Sequence, residues 1–338
     1  MTTTVHDVAR RAGVSIATVS RVFGHPDAVA AATRQRVLSA ADELGYAPNT
    51  SARALVRGRT GYLGLLVHDL ANPFYATVAK AAQLEARRRG LALFCADYGD
   101  RPDEELALAK EMARHVDGLL LYPSQPADDT LRAAVAELGP AVLVDSPVDG
   151  VPHVLMSTAE GVDQAVDHLT ALGHRGLTYV DAAPTTMFTS LDRRRNVEAS
   201  CARAGLALSV VGPFSPSFES GVRAADLVIA DGATAVLAFS DQMALGVVRR
   251  LTERGVRVGA DVSVVGVDDI WIAAQVTPAL TTVRMPCADA GAAATRLLAN
   301  AIDDTNGIDG GATTSRVVLP TELIVRSSTG PVSHGGTT

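Results

Sequence analysis

Apolar residues near the start of the chain recur at three- and four-residue intervals, a spacing that predicts short amphipathic helices. Val5, Val8, Ala9 and Ala12 place one such helix close to the amino terminus. Gly13 follows directly, and glycine readily adopts the left-handed conformation that ends a helix. The first helix is therefore expected to end at this glycine.

A second helix is predicted to start at Ser15, whose side chain can accept a hydrogen bond from the backbone near Thr18. A narrow apolar stripe on this helix is formed by Val19 and Val22. The residues left exposed are Ile16, Ala17, Ser20 and Arg21. Because Ala17 and Arg21 share one face of the helix, they could enter a DNA major groove together. Spacing alone leaves an ordinary helical hairpin equally open.

A third helix is predicted over residues 31–44, ended by Gly45. Its predicted buried face consists of Val37, Leu38, Ala41 and Leu44. The cap position holds Ala30, which lacks the hydroxyl that would stabilise the helix start by ~1 kcal/mol. Three helices of this length make a small all-α domain.

The pattern changes after residue 60 to short apolar runs that alternate with amphipathic segments. This alternation predicts α/β architecture with doubly wound, mostly parallel sheets. The run through Ser157 suffices for one sheet, and the strands from Leu177 onward start another. The candidate strands are Tyr62–Val67, Leu91–Ala96, Gly118–Leu121, Ala141–Asp145, Leu177–Asp181, Ala235–Phe239 and Val262–Val267.

Two amino-terminal runs carry a resemblance to a known family. The run Asp7-Val-Ala-Arg-Arg-Ala-Gly-Val-Ser15, followed by Thr18-Val-Ser-Arg-Val22, resembles the opening of the lactose-repressor/galactose-repressor (LacI/GalR) family of transcription regulators. The resemblance extends to the Pro-Thr-Glu-Leu-Ile-Val-Arg-Ser-Ser-Thr run that ends at Thr329. It implies a helix-turn-helix DNA-binding domain and hinge helix, followed by a periplasmic-binding-protein-like core of two α/β lobes. The implied boundaries are 1–47 for the DNA-binding domain, 48–58 for the hinge, 59–329 for the core and 330–338 for a flexible tail. Within the core they are about 59–157 and 286–314 for the N-lobe, and about 158–285 and 315–329 for the C-lobe.

Residues 48–58 could form barely two turns of helix, which is marginal alone in water. In the family the corresponding segment is a hinge that orders on DNA and inserts a leucine into the minor groove, and Leu55 holds that position here. A plain interdomain linker is the alternative interpretation. The residues expected to contact DNA are Thr4, Ser15, Ile16, Ala17, Thr18, Ser20, Arg21, Asn49, Ala52, Arg53 and Leu55.

Ligands of open α/β sheets bind beyond the carboxyl ends of the strands, so residues just past those ends are candidates for an effector site. Aromatic rings, carboxylates and one arginine together suit the ring faces and hydroxyls of a sugar. From the run Arg193–Arg195 the resemblance selects Arg195. The predicted effector-binding residues are Asp69, Phe74, Tyr75, Asp145, Arg195, Phe218, Asp241 and Asp268.

Structural roles remain open for several of these residues. The rings of Phe74 and Tyr75 could simply fasten a helix to the sheet, and Asp241 and Asp268 could cap helices. The far wall of the cleft could use Phe214 or Phe218, because Pro216 falls at the register of the family's aromatic residue. Two departures affect the ligand contacts. Glu198 stands three residues after Arg195, where the family usually has glycine, and Met285 replaces a frequent glutamine.

Charge is distributed unevenly along the chain. Residues 1–60 contain eight arginines, no lysine and four acidic residues, whereas the remainder holds 22 basic and 33 acidic residues. A basic amino-terminal part on an acidic body suits a polyanionic partner at one end. The use of arginine without lysine in this part fits bidentate contacts with phosphate and guanine. The whole chain has only two lysines, Lys80 and Lys110, so a general compositional bias is an equal explanation.

The three cysteines, Cys95, Cys201 and Cys287, are widely spaced among apolar residues and are expected to be reduced core residues. The eight histidines show no metal-ligand spacing, so neither a metal nor a cofactor is expected. A cytoplasmic location is expected because no run reaches membrane-spanning length and no signal-peptide pattern opens the chain.

The sequence therefore predicts a DNA-binding transcription regulator, a repressor, whose affinity for a near-palindromic operator is controlled by a small sugar or polyol. A homodimer is expected because one recognition helix reads only a few base pairs. The residues after Arg326 lack the leucine heptads of a tetramerisation helix. An enzyme or an exported solute-binding protein on the same fold is the alternative, but no nucleotide-binding, nucleophile-elbow or zinc-protease motif supports an enzyme.

Overall fold

The computed structural model describes residues 3–24, 28–46, 59–99, 101–124, 126–183, 188–304 and 315–332. It divides into two compact units, residues 1–61 and residues 62–338, and each is described by itself. The predicted hinge residues Asn49, Ala52, Arg53 and Leu55 lie outside the described residues.

The first unit contains three helices, α1 (Val5–Ala12), α2 (Ile16–Gly24) and α3 (Ala31–Glu43). Helix α1 starts at Thr4, whose backbone N–H and hydroxyl donate to the Asp7 carboxylate at 3.0 and 2.6 Å. It ends as predicted at Gly13, which has a φ of 65°. Helix α2 starts as predicted at Ser15, whose Oγ accepts from the Thr18 N–H at 3.1 Å.

The three helices share one small apolar core. Its buried residues are Val8, Ala9, Val19, Val22, Val37, Ala40 and Ala41. The prediction for Leu38 was wrong, because this side chain is 40% exposed and Ala40 is buried instead. With Val37 and Ala41 facing inward, the next inward position is three residues after Val37, and Leu38 lies about 100° around the helix. Ala30 makes no side-chain capping bond at the start of α3, as predicted.

The second unit contains two six-stranded sheets, both predominantly parallel. The first has the strand order β11-β5-β4-β3-β1-β2. Its strands are β1 (Tyr62–Val67), β2 (Ala92–Asp97), β3 (Gly118–Leu121), β4 (Ala141–Val144), β5 (His153–Ser157) and β11 (Arg316–Pro320). The helices α4 (Pro73–Arg88), α5 (Pro102–Ala113), α6 (Asp129–Ala136) and α11 (Cys287–Asp304) belong to this lobe.

The second sheet has the order β12-β10-β9-β8-β6-β7. Its strands are β6 (Gly176–Ala182), β7 (Ala207–Phe214), β8 (Ala235–Ala238), β9 (Ser263–Asp268), β10 (Thr281–Arg284) and β12 (Glu322–Ile324). The helices of this lobe are α7 (Ala159–Ala171), α8 (Phe188–Ala204), α9 (Phe218–Ala230) and α10 (Asp241–Glu253). Helices α9 and α10 pack so closely that a Cβ on Gly221 would lie 2.0 Å from the Met243 carbonyl oxygen.

The chain passes between the lobes after β5, after β10 and between β11 and β12. The predicted boundary at residue 315 was wrong, because β11 pairs with β5 in the first sheet. The third passage therefore falls at Thr321, whose hydroxyl accepts from the Gly161 N–H at 3.1 Å.

The predicted strands are all present within one or two residues of their expected ends. The pattern did not predict β5, β7, β10, β11 and β12, of which β7, β11 and β12 lie at sheet edges. Edge position explains a second correction. Cys95 is exposed on β2, at the edge of the first sheet, whereas Cys201 and Cys287 are buried as expected.

Candidate functional site

A cleft of about 500 Å³ opens at the carboxyl ends of the strands of both sheets. It receives residues from both lobes, at the place where ligands of open α/β folds bind. Its lining consists of His68, Asp69, Asn72, Phe74, Tyr75, Gly99, Tyr122, Pro123, Val144, Asp145, Ala183, Thr189, Ser190, Arg193, Ser215, Pro216, Ser217, Phe218, Glu219, Phe239, Ser240, Gln242 and Asp268.

Three rings form an aromatic corner on the first-lobe side of the cleft. Asn72 caps α4 by accepting from the Phe74 N–H at 3.0 Å, and this fixes Phe74 and Tyr75 at the helix start. Ring centroids lie 5.0 Å apart for Phe74 and Tyr75, and 5.3 Å apart for Tyr75 and Tyr122, with near-perpendicular planes in both pairs. The Tyr122 hydroxyl is buried and has no hydrogen-bond partner among the described residues. The corner therefore combines aromatic rings with a buried hydroxyl that has no partner among the described residues.

Two carboxylates, Asp145 and Asp268, line the cleft from different lobes. Asp145 follows β4, and its Oδ1 accepts from the Met156 N–H at 2.7 Å. Burial raises the pKa of Asp145 to about 7, against the opposing influence of that hydrogen bond and of the Arg193 charge. Asp268 ends β9, and burial raises the pKa of its carboxyl well above the usual range, again opposed by Arg193.

The backbone is strained at both carboxylates. Asp145 has a φ of 53° and Asp268 a φ of 129°, values that residues other than glycine rarely adopt. Each such residue costs on the order of 1–3 kcal/mol and persists where the surrounding structure enforces it. Such strain is concentrated at functional sites, so it supports a binding role for both side chains.

The arginine of the cleft is Arg193, and the prediction of Arg195 was wrong. Two residues along a helix turn the side chain by about 200°, so Arg195 is exposed on the opposite face of α8 and does not line the cleft. The buried guanidinium of Arg193 lies 4.3 Å from the Phe239 ring centroid and donates to the Phe239 carbonyl oxygen. With Arg193 as the cleft arginine, the residue three positions later is Asn196 and not Glu198. Glu198 pairs with Arg194 on the surface at 2.9 Å.

Asp241 does not line the cleft either, in contrast to the prediction. It is fully buried, where its two oxygens accept from the Thr282 hydroxyl at 2.6 Å and the Ile270 N–H at 2.9 Å. These bonds hold the start of α10 against β10 and the segment after β9. The helix cap is the preceding Ser240, which accepts from the Met243 N–H.

The remaining predicted effector residues reach the cleft. Asp69 lines its rim, and its Oδ1 accepts from the Ala71 N–H at 2.8 Å. Of the two far-wall candidates, Phe218 lines the cleft and Phe214 does not. Sequence reasoning missed Tyr122 and Gln242. Tyr122 directly follows β3, so the strand-end rule that selected Asp145 applies to it as well.

In the first unit, the exposed face of α2 forms a second candidate site. Ile16, Ala17, Ser20 and Arg21 are exposed, while Val19 and Val22 anchor the opposite face in the core. The Arg21 guanidinium pairs with no other described residue. A rigidly packed helix therefore presents an apolar patch and an available guanidinium.

Comparison with known proteins identifies the family of the chain. Residues 4–49 match bacterial regulatory proteins of the lacI family, and residues 166–329 match the periplasmic binding protein-like domain. The HTH-type transcriptional regulator DegA of Bacillus subtilis is 30% identical over 98% of this chain and 100% of its own length. The chain belongs to the lacI family. The HTH-type transcriptional regulator CelR of Thermobifida fusca is 35% identical over 96% of this chain and 98% of its own length.

Solved structures of similar proteins share the fold of this lacI-family chain. The lac repressor dimer bound to operator and the anti-inducer ONPF has a TM-score of 0.83 and 28% identity, and the match covers 98% of this chain and 100% of that one. A CelR–cellobiose complex has a TM-score of 0.69 and 33% identity, covering 96% and 99%. The predicted fold, a helix-turn-helix unit followed by a two-lobed α/β core, is confirmed. The chain is thus a transcription regulator.

Two further observations concern other classes of protein. Among the described residues, no three His, Cys, Asp or Glu side chains are placed to hold a metal ion. None of the described helices combines the length and apolar character needed to cross a membrane. The relatives are named as transcriptional regulators, and a lack of enzymatic activity in this chain stays a prediction.

Proposed function

We propose that this regulator is a homodimeric repressor whose affinity for operator DNA is set by a small hydroxyl-rich molecule bound in the interlobe cleft. The observation that carries the proposal is the convergence of Arg193, Asp145 and Asp268 on one cavity beside the aromatic corner. Two carboxylates and a guanidinium match the donors and acceptors of a polyol, and the rings match its apolar faces.

The DNA contacts proposed for the first unit come from the exposed face of α2. A helix of this kind lies in the major groove, where Arg21 would donate to the O6 and N7 atoms of guanine and Ala17 would contact a thymine methyl group. The contacts predicted for Thr4 and for the hinge residue Leu55 are part of the same proposal. The lac repressor in its complex with operator is a dimer, which supports two-fold pairing here.

Coupling between the cleft and the DNA requires a conformational change. The three connections between lobes allow the lobes to close on a ligand, and a ligand that contacts both lobes favours the closed state. In a dimer, such a movement would change the separation of the two DNA-binding units. CelR forms a complex with cellobiose, so a relative of the same length holds a sugar.

The test combines two screens on the full-length protein. Selection from random DNA would identify the operator, and a thermal-shift screen of sugars, polyols, nucleosides and purines would identify the ligand class, because binding to the native state raises Tm. We expect a near-palindromic operator, and a ligand that changes operator affinity and binds with a stoichiometry of one per chain. Recovery of a non-palindromic site, or a ligand with no effect on operator affinity, would contradict the proposal.

A further inference from the structure

We propose that the molecule bound in this cleft is a polyhydroxylated amine, such as an amino sugar, whose ammonium group lies between Asp145, Asp268 and the aromatic corner. The inference rests on the proposed function and specifies the chemistry of its ligand. It is carried by the charge balance of the cleft, by the arrangement of its rings and by buried polar groups without partners.

The first observation is an excess of carboxylates. Four acidic side chains line the cleft, Asp69 and Asp145 from the first lobe and Glu219 and Asp268 from the second. Among the described lining residues, Arg193 is the one arginine, and none is a lysine. The four residues between Ala183 and Phe188, Pro-Thr-Thr-Met, have no basic side chain to add. A ligand that carries a positive charge would reduce this imbalance.

The single guanidinium is only partly engaged, because its Nε has no hydrogen-bond partner among the described residues. Arg193 donates to the Phe239 carbonyl oxygen and lies over the Phe239 ring, so part of its hydrogen-bonding capacity and of its charge serves the second lobe. Burial raises the pKa of both Asp145 and Asp268 despite the nearby arginine. The protein alone therefore does not offset the cost of burying two carboxylates, and a bound cation placed between them would.

The aromatic corner supplies the second element of cation recognition. The rings of Phe74, Tyr75 and Tyr122 meet nearly at right angles, with the Phe74 and Tyr122 centroids 6.2 Å apart. Rings around a small cavity attract a cation through the negative potential of their faces. Asp145 and Asp268 both act electrostatically on the Tyr75 hydroxyl, which places the carboxylates beside this corner.

Buried polar groups without partners are the third observation. Tyr122 and Ser190 line the cleft and are 6% and 3% exposed, and the Tyr122 hydroxyl and the Ser190 Oγ have no hydrogen-bond partner among the described residues, as is also true of the Arg193 Nε. Buried hydroxyls without partners are rare, so they indicate where a ligand donates or accepts. Hydroxyl oxygens accept from N⁺–H and from O–H groups, which a hydroxylated amine offers together.

These observations also exclude ligand classes by charge. A phosphorylated sugar or a carboxylic acid would place an anion among four acidic side chains, with Arg193 the one arginine and no lysine among the described lining residues. A neutral polyol could hydrogen-bond to these groups, but it brings no positive charge to balance Asp145 and Asp268 when they are ionised. The expected order of affinity is therefore amine, then neutral polyol, then anion.

The experiment compares the affinities of related probes that differ in charge. The affinities are measured by isothermal titration in an amine-free buffer. Glucosamine, galactosamine and mannosamine are each compared with the N-acetyl form and with the neutral parent sugar, and glucose 6-phosphate serves as the anion. Tris(hydroxymethyl)aminomethane and pentaerythritol form a pair that is independent of sugar stereochemistry. At least one amine should bind roughly tenfold or more tightly than its neutral partner, as one charge-assisted hydrogen bond provides.

Variants then test which carboxylates of the cleft cause the preference for the amine. Asp268→Asn and Asp145→Asn should reduce the preference for the amine to within about threefold. Asparagine tolerates the positive φ at Asp145, so this replacement preserves the local backbone. Glu198→Gln, a surface carboxylate outside the cleft, is the control and should keep the full preference. Should either asparagine variant fail to fold by circular dichroism, Glu219→Gln at the exposed rim should still lower the preference measurably.

The outcomes separate this inference from the proposed function. Neutral sugars that bind as tightly as their amines would overturn the inference and leave the proposed function intact. An amine preference that persists unchanged in all three cleft variants would also overturn it. If no probe binds, the inference is contradicted, and the proposed function is judged separately by the wider screen of neutral sugars and nucleosides.

Discussion

The two candidate sites differ in how their side chains are held. The exposed face of α2 is held indirectly, because Val19 and Val22 anchor the helix while Ile16, Ala17 and Arg21 contribute little to the fold. The cleft is built from buried carboxylates, a buried arginine and strained backbone that come from both lobes. A site of the first kind can change specificity without loss of stability. A site of the second kind couples binding, stability and pH.

The largest expected effect distinguishes two of the arginines on α8, Arg193 and Arg195. Arg193→Ala should weaken effector binding by about 2–5 kcal/mol, because it removes a buried guanidinium and leaves Asp145 and Asp268 without its charge. Arg195→Ala removes a surface guanidinium two residues away and is the matched control. Isothermal titration with the identified effector measures both. Equal losses in the two variants would move the site away from Arg193.

A second prediction uses pH to show that the cleft carboxylates are buried at a cost. Since the pKa of Asp145 is raised to about 7, the folded chain keeps a proton that the unfolded chain releases near pH 4. The stabilising contribution of this protonated group is therefore full below about pH 4 and is lost as pH rises towards 7.

Asp145→Asn should remove one such titration and flatten the pH dependence of the unfolding free energy by at most about 1.4 kcal/mol per pH unit in that window. The control is Asp226→Asn, because a hydrogen bond from Arg250 lowers the pKa of Asp226 and its titration lies at lower pH. Urea denaturation at several pH values measures both. An Asp145→Asn curve parallel to that of the native chain would contradict the account.

The third prediction tests whether a substitution on the exposed face of α2 changes DNA specificity without changing the stability of the fold. Arg21→Ala should cost roughly 1–3 kcal/mol per operator half-site and relax preference at one base position, with Tm unchanged. Arg10→Ala is the control. Because Arg10 lies on α1, its loss should change the affinity for all DNA sequences alike and leave the selected motif unchanged. Selection from random DNA and thermal denaturation provide the two readouts. An unchanged binding motif, or a large drop in Tm, would break the contrast between the two regions.

The smallest expected effect concerns the start of α3. Ala30→Ser would add the missing cap and stabilise the helix by ~1 kcal/mol, which corresponds to about fivefold slower hydrogen exchange in its amides. Ala28→Ser, two residues earlier, is the control and should leave exchange in α3 unchanged. Accelerated exchange in Ala30→Ser would contradict the cap assignment.

The same contrast explains what the sequence could predict. The three helices of the first unit were predicted closely, since helix spacing, the Gly13 end and the Ser15 cap are local signals. The strand ends located Asp145 and Asp268 in the cleft for the same reason. Burial behind the cleft, as for Asp241, depends on Thr282 and Ile270 from distant parts of the chain, and no local pattern records it.

The arginine shows the limit most clearly. Among three consecutive arginines, the sequence does not reveal which one faces inward, because α8 has weak apolar periodicity and its first turn follows residues 184–187, which lie outside the described residues. The fold resolves the choice through Phe239, which receives the Arg193 guanidinium on its ring and its carbonyl oxygen. Family resemblance alone selected Arg195.

The central claim is that the cleft and the operator site are energetically coupled through the closure of the two lobes. Coupling of this kind is reciprocal, so the factor by which a saturating effector changes operator affinity must equal the factor by which operator changes effector affinity. Fluorescence anisotropy gives the first factor and isothermal titration, with and without operator, gives the second. We predict equal factors of about 5–150, both falling to one in Arg193→Ala and both retained in Arg195→Ala. An effector that saturates the cleft and leaves operator affinity unchanged would contradict the claim.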